Sequence, residues 1–308
     1  MRYLVTGGAG FLGMNLCQRL IERGHKVVVI DNLISGQREN VKKLEGKGLK
    51  FIRGDVSKAV KVPGKVDGIY HLASIASPVF YQRYQVETLT VGARGTENVL
   101  EFADKHKARV LLSSTSEVYG DPLVHPQKED YWGNVNPIGP RSMYDESKRY
   151  SEALTTAFRR QKAVNAAIVR IFNTYGPGMR PDDGRVVPTF IMQAIAGKPI
   201  TIHGDGSQTR SFCYVDDLIA GLMAVFESGR EGPYNLGNPK ETTVRKLAEM
   251  IIKLTGSKSA LKFVGRPQDD PERRLPDIGC VKKDIGWEPR VALEEGLPRT
   301  VEYFKNKA

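Results

Sequence analysis

The stretch Tyr3-Leu-Val-Thr6-Gly7-Gly8-Ala9-Gly10-Phe11-Leu12-Gly13, at the start of the 308-residue chain, decides the fold. Its apolar beginning predicts a strand, and the residues after it have the apolar spacing of a helix. Between the two, Gly7, Gly10 and Gly13 recur at every third position. Because glycines let the backbone approach a pyrophosphate and a helix N-terminus attracts its charge, the pattern predicts a phosphate-binding turn.

A carboxylate at the end of the next predicted strand indicates which phosphate compound binds. Asp31 closes the apolar run Val27-Val28-Val29-Ile30. A carboxylate there can accept hydrogen bonds from both ribose hydroxyls of NAD, and it repels the 2′-phosphate of NADP. We therefore predict that NAD is the cofactor. Its predicted contacts are Gly7, Gly10, Phe11, Leu12, Gly13, Asp31, Asn32, Asp55, Val56, Leu72 and Ala73.

Strand and helix patterns alternate through the first half of the chain. The predicted strands are 2–6, 26–31, 50–53, 68–72, 109–114 and 166–172, and the predicted long helices are 11–23, 88–107 and 144–161. Such alternation is typical of an α/β fold with a doubly wound parallel Rossmann sheet. Asp55, directly after the third strand, either reaches the adenine amino group or caps its own loop. After residue 173, Gly- and Pro-rich loops predict a smaller, interleaved C-terminal domain.

Composition excludes several classes of protein. The chain has 46 Lys and Arg against 35 Asp and Glu, a net charge of +11, which favours anionic partners. The basic residues are scattered without an aromatic-interleaved stripe, so we expect no nucleic-acid binding. No run of 18 apolar residues occurs, so we expect no membrane helix, and glycines in place of an apolar h-region near Met1 lead us to expect no signal peptide. Cys17, Cys213 and Cys280 lack the spacing of disulfide or metal sites, so we expect reduced thiols, no metal and a cytoplasmic location.

Two segments carry residues suited to acid–base chemistry. In Tyr144-Asp-Glu-Ser-Lys148 a phenol and an ammonium group lie four residues apart on one helix face. A nearby cation favours phenolate, so Tyr144 is a candidate general base, although an exposed helical pair is the ordinary alternative. Thr115, at the end of the fifth predicted strand, adds a hydroxyl that can bond a substrate oxygen.

Together, residues 6–13 (TGGAGFLG), Asp31, Thr115 and the Tyr144–Lys148 motif resemble extended short-chain dehydrogenases/reductases that act on nucleotide sugars, and the resemblance covers the whole chain. Longer segments resemble the UDP-glucuronate decarboxylases (UDP-xylose synthases) within that family. These segments are 71–84 (HLASIASPVFYQRY), 114–122, 136–141, 170–177, 206–217 and 268–277. Two positions depart from the decarboxylase pattern: Ile75 replaces a proline, and Ser147 stands where glycine is common.

The resemblance implies a reaction and a role for five residues. UDP-glucuronate would be converted to UDP-xylose and CO₂ through a 4-keto intermediate, with NAD held tightly and regenerated in each cycle. Tyr144 would take the proton of the sugar C4 hydroxyl, and Thr115 would hold the C4 oxygen. Lys148 would lower the pKa of the Tyr144 phenol. Tyr144 and Lys148 would also contact the cofactor. Glu117 and Arg274 resemble the acid and the arginine that distinguish decarboxylases from epimerases.

The resemblance also implies how the substrate is held. The implied substrate contacts are Ser77, Pro78, Tyr81, Glu117, Asn173, His203, Arg210 and Arg274. Asn173 and Arg210 are candidates for the diphosphate. His203 either stacks on uracil or is an ordinary loop histidine. In domain terms, residues 1–172 with about 212–236 would bind NAD, and residues 173–211 with 237–308 would bind the UDP-sugar.

A homodimer is expected because relatives pair two long helices from each subunit into a four-helix bundle. The matching segments here are 88–107 and 144–161. These helices carry more apolar residues than packing against the sheet alone requires, and we interpret the excess as a dimer interface. The apolar residues are Val91, Val99, Leu100, Leu154 and Phe158.

Two other functions are compatible with parts of this sequence. A UDP-hexose 4-epimerase would share the motifs up to Lys148, but Glu117 and the segment 268–277 argue against it. A catalytically idle protein that binds NAD and UDP-sugars for regulation is the alternative from another class. The intact set of Thr115, Tyr144 and Lys148 argues against that.

Overall fold

A computed structural model describes residues 1–266, 268–269 and 271–307. Its centre is a seven-stranded parallel sheet. The strands are β1 (Arg2–Thr6), β2 (Lys26–Asp31), β3 (Leu49–Arg53), β4 (Gly68–His71), β5 (Arg109–Thr115), β6 (Ala166–Ile171) and β11 (Tyr234–Leu236), in the order β11-β6-β5-β4-β1-β2-β3. The predicted doubly wound Rossmann sheet is confirmed, and its six predicted strands match within a residue or two.

Helices cover both faces of this sheet. They are α1 (Phe11–Glu22), α2 (Arg38–Lys42), α3 (Pro78–Arg83), α4 (Gln85–Thr90), α5 (Thr96–His106), α6 (Ser142–Lys162), α7 (Val186–Ile195), α8 (Val215–Glu227), α9 (Val244–Thr255), α10 (Gly279–Ile285) and α11 (Leu293–Lys305). Neighbouring residues of β1 point to opposite faces: Val5 joins the core that contains α1 and α8, and Leu4 joins the core under α5 and α6. Both faces are apolar because both are covered.

One predicted helix, 88–107, is interrupted in the structure. The helical segment runs from residue 85 to 106 as α4, a π-helical turn (Val91–Gly95) and α5. Val99, Leu100 and Phe158 are buried against the sheet, and Val91 and Leu154 pack against the same core. Our interpretation of these five residues as surplus apolar surface was therefore wrong.

The C-terminal half adds short strands outside the main sheet. These strands are β7 (Thr174–Tyr175), β8 (Ile200–His203), β9 (Thr209–Ser211), β10 (Cys213–Tyr214), β12 (Glu241–Thr243), β13 (Leu261–Val264) and β14 (Arg273–Arg274). The chain leaves the main sheet after β6 and returns to it as β11, which pairs with β6. No strand at 234–236 was predicted, since three residues are too few to show a period. Among the described residues, no helix is both long and apolar enough to span a bilayer.

Candidate active site

A cleft of about 490 Å³ opens at the carboxyl ends of the main-sheet strands. This edge is where parallel α/β sheets bind ligands. Of the predicted site residues, the cleft is lined by Gly7, Gly10, Phe11, Leu12, Gly13, Asp31, Asn32, Asp55, Val56, Leu72, Ala73, Ser77, Thr115, Glu117, Tyr144, Lys148 and Asn173. Asp270, within the segment 268–277, lies outside the described residues.

The phosphate-binding turn can be built only from glycine at two places. Gly7 has a φ of +71°, and a Cβ there would lie 2.8 Å from the Cα of Ala73. A Cβ on Gly13 would lie 2.3 Å from the carbonyl oxygen of Gly7. The turn therefore lies tight against β4 and leads into the N-terminus of α1 with a bare backbone surface. That surface fits a pyrophosphate.

Asp31 faces the cleft from the end of β2. Its Oδ2 accepts a hydrogen bond from Ala9 N at 3.0 Å, and its Oδ1 accepts one from Leu33 N at 2.8 Å. A Cβ on Gly36 would lie 2.8 Å from Asp31 Oδ1, so glycine leaves room beside the carboxylate. Burial raises the pKa of Asp31. These contacts leave each oxygen an acceptor lone pair for a ribose hydroxyl, so the chain's residues fit NAD.

Asp55 behaves as a loop cap. Its Oδ1 accepts hydrogen bonds from Ser57 N at 2.9 Å and from Ser57 Oγ at 2.7 Å. The side chain still lines the cleft. The structure therefore shows the capping contact and leaves the contact with adenine as a prediction.

Helix α6 brings Tyr144 and Lys148 to the floor of the cleft, where both are buried. Lys148 Nζ donates to the carbonyl of Ser113 at 2.7 Å and lies 6.0 Å from the centre of the Tyr144 ring. Burial raises the pKa of Tyr144 and outweighs a hydrogen bond with the Thr115 hydroxyl, which acts to lower it. Burial also lowers the pKa of Lys148 to about 8. Burial of Tyr144 thus favours its neutral phenol form.

Glu117 lines the same cleft as Tyr144 and Lys148, and two guanidinium groups pair with its negative charge. Arg141 Nη2 donates to Glu117 Oε2 at 2.6 Å, and Arg274 Nη1 donates to Glu117 Oε1. Arg274 also donates to the carbonyl of Gly120 at 3.1 Å, and this predicted substrate contact is buried behind Glu117, outside the cleft lining. Burial acts to raise the pKa of Glu117, but the two guanidinium groups outweigh it and hold that pKa below its usual range. Glu117 is therefore an ionised acceptor rather than a proton donor at neutral pH.

Of the three predicted substrate contacts at the start of α3 and within it, only Ser77 lines the cleft. Ser77 Oγ donates to the carbonyl of Asp183 at 2.5 Å, and Pro78 begins α3 outside the cleft lining. The ring of Tyr81 is buried and stacks on that of Tyr144, with centroids 5.4 Å apart and planes 7° apart. Tyr81 thus contacts the catalytic helix instead of lining the cleft.

Two predicted uridine-side residues lie outside the cleft lining. Arg210 is buried on β9 and donates to the carbonyls of Thr209 at 2.8 Å and Glu272 at 3.1 Å. His203 is exposed at the end of β8, and its Nδ1 lies 3.0 Å from the carbonyl oxygen of Gly265. The structure brings neither residue to the cleft wall, whereas Asn173 does line it.

Sequence reasoning missed four charged residues of this site. Arg141 pairs with Glu117, and Arg180 and Arg185 line the cleft. Asp145 is buried, and its Oδ1 has no hydrogen-bond partner among the residues that the structure describes. Burial and the charge of Glu117 raise the pKa of Asp145. Arg141 lay within the quoted segment 136–141, three residues before Tyr144, so its position one helical turn away was an available signal.

The departure at Ser147 has a packing reason. Ser147 is buried and its Oγ donates to the carbonyl of Tyr144 at 2.7 Å. Gly92, in the π-helical turn, faces it so closely that a Cβ on Gly92 would lie 2.6 Å from the Cβ of Ser147. The glycine on one helix therefore makes room for the serine on the other. Ile75, the second departure, is buried against Tyr81 and Tyr144.

The family model described as "NAD dependent epimerase/dehydratase family" matches residues 3–237. The chain is 50% identical over 308 residues to UDP-glucuronic acid decarboxylase 1 of Arabidopsis thaliana, covering 100% of this chain and 70% of that protein.

Solved structures give the same family. A mutant UDP-glucuronic acid 4-epimerase from Bacillus cereus, in complex with UDP-4-deoxy-4-fluoro-glucuronic acid and NAD, is 30% identical with a TM-score of 0.89, and the match covers 100% of each chain. UDP-glucose 4-epimerase from Thermotoga maritima with UDP-glucose is 29% identical with a TM-score of 0.89, covering 100% of this chain and 99% of that one. With its glycine turn, Asp31 and the Tyr144–Lys148 pair at one sheet edge, the chain belongs to the NAD-dependent epimerase/dehydratase family.

Proposed function

We propose that this protein converts UDP-glucuronate to UDP-xylose and CO₂ through a 4-keto intermediate. The observation that carries the proposal is Glu117, held between Arg141 and Arg274 beside Tyr144. Two guanidinium groups against one carboxylate leave a positive charge for the carboxylate of a sugar acid. The 50% identity to a protein named UDP-glucuronic acid decarboxylase supports decarboxylation as the outcome.

The first step is removal of the C4 hydroxyl proton. Tyr144 accepts this proton, and Thr115 holds the same sugar oxygen through its hydroxyl. Gly7–Gly13 and Asp31 would hold NAD⁺, which would supply hydride acceptance and return at C4. Lys148 supplies a positive charge that stabilises phenolate, which Tyr144 needs because its burial favours the neutral phenol.

Loss of CO₂ follows from the chemistry of the oxidised sugar. A carbonyl at C4 makes the C6 carboxylate a β-keto acid, so the electrons of the C5–C6 bond flow into the C4 oxygen. Thr115 and Tyr144 stabilise the negative charge that develops there. Arg274 positions the departing carboxylate. A proton from solvent then adds to C5, and Tyr144 returns its proton to the C4 oxygen as C4 is reduced, which gives UDP-xylose.

Incubation with UDP-glucuronate tests the proposal. We expect CO₂ release and a UDP-pentose product, with no reaction of UDP-glucose under the same conditions. Interconversion of UDP-glucose and UDP-galactose, with UDP-glucuronate untouched, would assign the function to the 4-epimerase alternative. Absence of turnover on every UDP-sugar would assign it to the regulatory alternative.

We also propose that Asp31 selects NAD. The Asp31→Asn variant should bind NAD⁺ about 10- to 100-fold more weakly and lose its preference over NADP⁺, because the amide lacks the charge that ribose hydroxyls bond and a 2′-phosphate avoids. Titration of both cofactors by calorimetry measures this. Asp67→Asn is the control and should bind NAD⁺ as the parent does. Asp67 Oδ2 accepts a hydrogen bond from Arg2 N at 2.7 Å, at the start of β1. Unchanged affinity in Asp31→Asn would show that the ribose lies elsewhere.

We propose a homodimer in which residues 85–106 and α6 of each subunit form a four-helix bundle. Val86, Leu89 and Tyr150 support it, since these side chains are 72%, 43% and 50% exposed on neighbouring helices. Light scattering should give twice the mass of one chain, and Leu89→Arg should give the mass of one. Leu123→Arg, at a residue 82% exposed outside these helices, is the control and should stay dimeric. A parent protein with the mass of one chain would contradict the proposal.

The remaining assignments are proposals from the sequence. Residues 1–172 with about 212–236 bind NAD, and residues 173–211 with 237–308 bind the UDP half of the substrate through Asn173, Arg210 and His203. A cytoplasmic location is supported by the thiols, because Cys17, Cys213 and Cys280 are all free and Cys280 is exposed. We propose neither a nucleic acid nor a membrane as a partner.

A further inference from the structure

A buried ion pair lies directly behind Lys148, outside the substrate cleft. Glu152 follows Lys148 by one turn of α6, and Arg170 lies on β6. Arg170 Nε donates to Glu152 Oε1 at 3.0 Å and Arg170 Nη2 donates to Glu152 Oε2 at 2.8 Å. The two side chains are only 12% and 14% exposed. Burying two charges costs free energy, so an ion pair with so little exposure to solvent suggests a functional role.

The pair connects the catalytic helix to the strand end that holds the substrate oxygen. Ser114 Oγ donates to Glu152 Oε1 at 2.5 Å. Ser114 lies between Ser113, whose carbonyl accepts from Lys148 Nζ, and Thr115. Glu152 and Lys148 thus hold successive residues of β5 from successive turns of α6.

Arg170 is fixed in turn by the loop that follows β5. Its Nη1 donates to the Tyr119 hydroxyl at 2.9 Å and to the carbonyl of Glu129 at 2.8 Å. Four of its five N–H donors therefore serve one carboxylate and one loop, which a lysine cannot do. The guanidinium holds Glu152 in place on the side away from the cleft.

We propose that Glu152, held by Ser114 and Arg170, is a positioning residue for the reaction. It fixes the distance between Lys148 and Thr115 and keeps Lys148 in its charged form. The proposal rests on the proposed function, because Lys148 acts there through Tyr144.

Charges around Lys148 support the second half of the proposal. Tyr144 on α6 and His71 on β4 lie close enough to interact with Lys148, and Arg170 on β6 pairs with Glu152. In the turn after β5, Glu117 lines the same cleft as Lys148 and Tyr119 contacts Arg170, while Arg149 of α6 donates to the carbonyls of Val118 and Trp132. Burial lowers the pKa of His71 to about 3, so it stays neutral. Burial likewise lowers the pKa of Lys148, and the charge of Glu152 opposes that effect.

The pH dependence of CO₂ release by the holoenzyme tests the proposal. The parent should lose activity as Lys148 deprotonates, near pH 8. Glu152→Gln keeps the acceptor for Ser114 but removes the charge, so Lys148 should lose its proton more easily. We expect the alkaline loss of activity to move down by about one pH unit. Glu231→Gln removes an exposed carboxylate that pairs with Arg159 of α6 and should leave the profile unchanged.

A purely structural role gives a different result. In that case the rate of Glu152→Gln falls equally at every pH, and the alkaline loss of activity (the alkaline limb of the profile) stays at the pH of the parent. That result would overturn the charge role of Glu152. Ser114→Ala keeps the charge and removes only the hydrogen bond, so kcat should fall several-fold with the limb unmoved. This variant also serves if Glu152→Gln does not fold, and a parent kcat in Ser114→Ala would overturn the positioning role. A parent protein that releases no CO₂ would instead refute the proposed function.

Discussion

Tyr144→Phe is expected to abolish all chemistry on UDP-glucuronate, with a loss of at least about 10³-fold in rate. The variant keeps the buried ring that stacks on Tyr81 and removes only the phenol oxygen. Without that oxygen nothing accepts the C4 proton, so no hydride leaves C4 and no β-keto acid forms. The loss should therefore appear in every later step as well.

Single-turnover absorbance of NADH, followed together with CO₂ release, measures this loss. Both signals should disappear in Tyr144→Phe. Tyr303→Phe removes the same atom from a residue of α11, outside the cleft lining, and should keep the parent rate. Normal NADH formation in Tyr144→Phe would show that another group takes the C4 proton.

Arg274→Ala is expected to separate oxidation from decarboxylation. NADH should still form, because Tyr144, Lys148 and Thr115 are untouched. CO₂ release should fall about 100-fold, since an arginine contact that strengthens as charge develops contributes roughly 3 kcal/mol. Truncation also leaves Glu117 with Arg141 alone, so part of the loss will come from the displaced carboxylate.

Arg273→Ala provides a matched control for Arg274→Ala. Arg273 is the neighbouring residue on β14, but its side chain is 58% exposed and lies 3.9 Å from Glu241. We expect the parent rate from it. Glu117→Gln then tests whether the acid acts through its charge, because the amide keeps its shape. Decarboxylation at the parent rate in Arg274→Ala would remove this arginine from the mechanism.

Features that depend on local sequence were predictable. The glycine turn was found because Gly7 and Gly13 allow no other residue where they approach neighbouring backbone. Asp31 was found because a strand end fixes where its side chain points. Tyr144 and Lys148 needed only the period of a helix. Each of these features depends on spacing within one element, and spacing can be read from the chain.

Features that depend on contacts between distant segments were not predictable. Arg141 and Arg274 meet at Glu117 although Arg274 lies far along the chain, and no period links the three. Ser147 departs from the glycine that is common at this position, and the packing reason is Gly92, which lies opposite it in another helical segment. His203 and Arg210 were assigned from motif position, and the structure places both outside the cleft lining.

The fate of hydrogen at two sugar carbons provides the decisive measurement. UDP-glucuronate is incubated with the holoenzyme in D₂O, and the product is analysed by mass spectrometry and proton NMR. We expect UDP-xylose with one deuterium at C5 and none at C4, because the C5 proton comes from solvent whereas the C4 hydrogen leaves to NAD⁺ and returns from it. A UDP-hexuronate that keeps its carboxylate, or deuterium at C4, would contradict decarboxylation through a retained NAD.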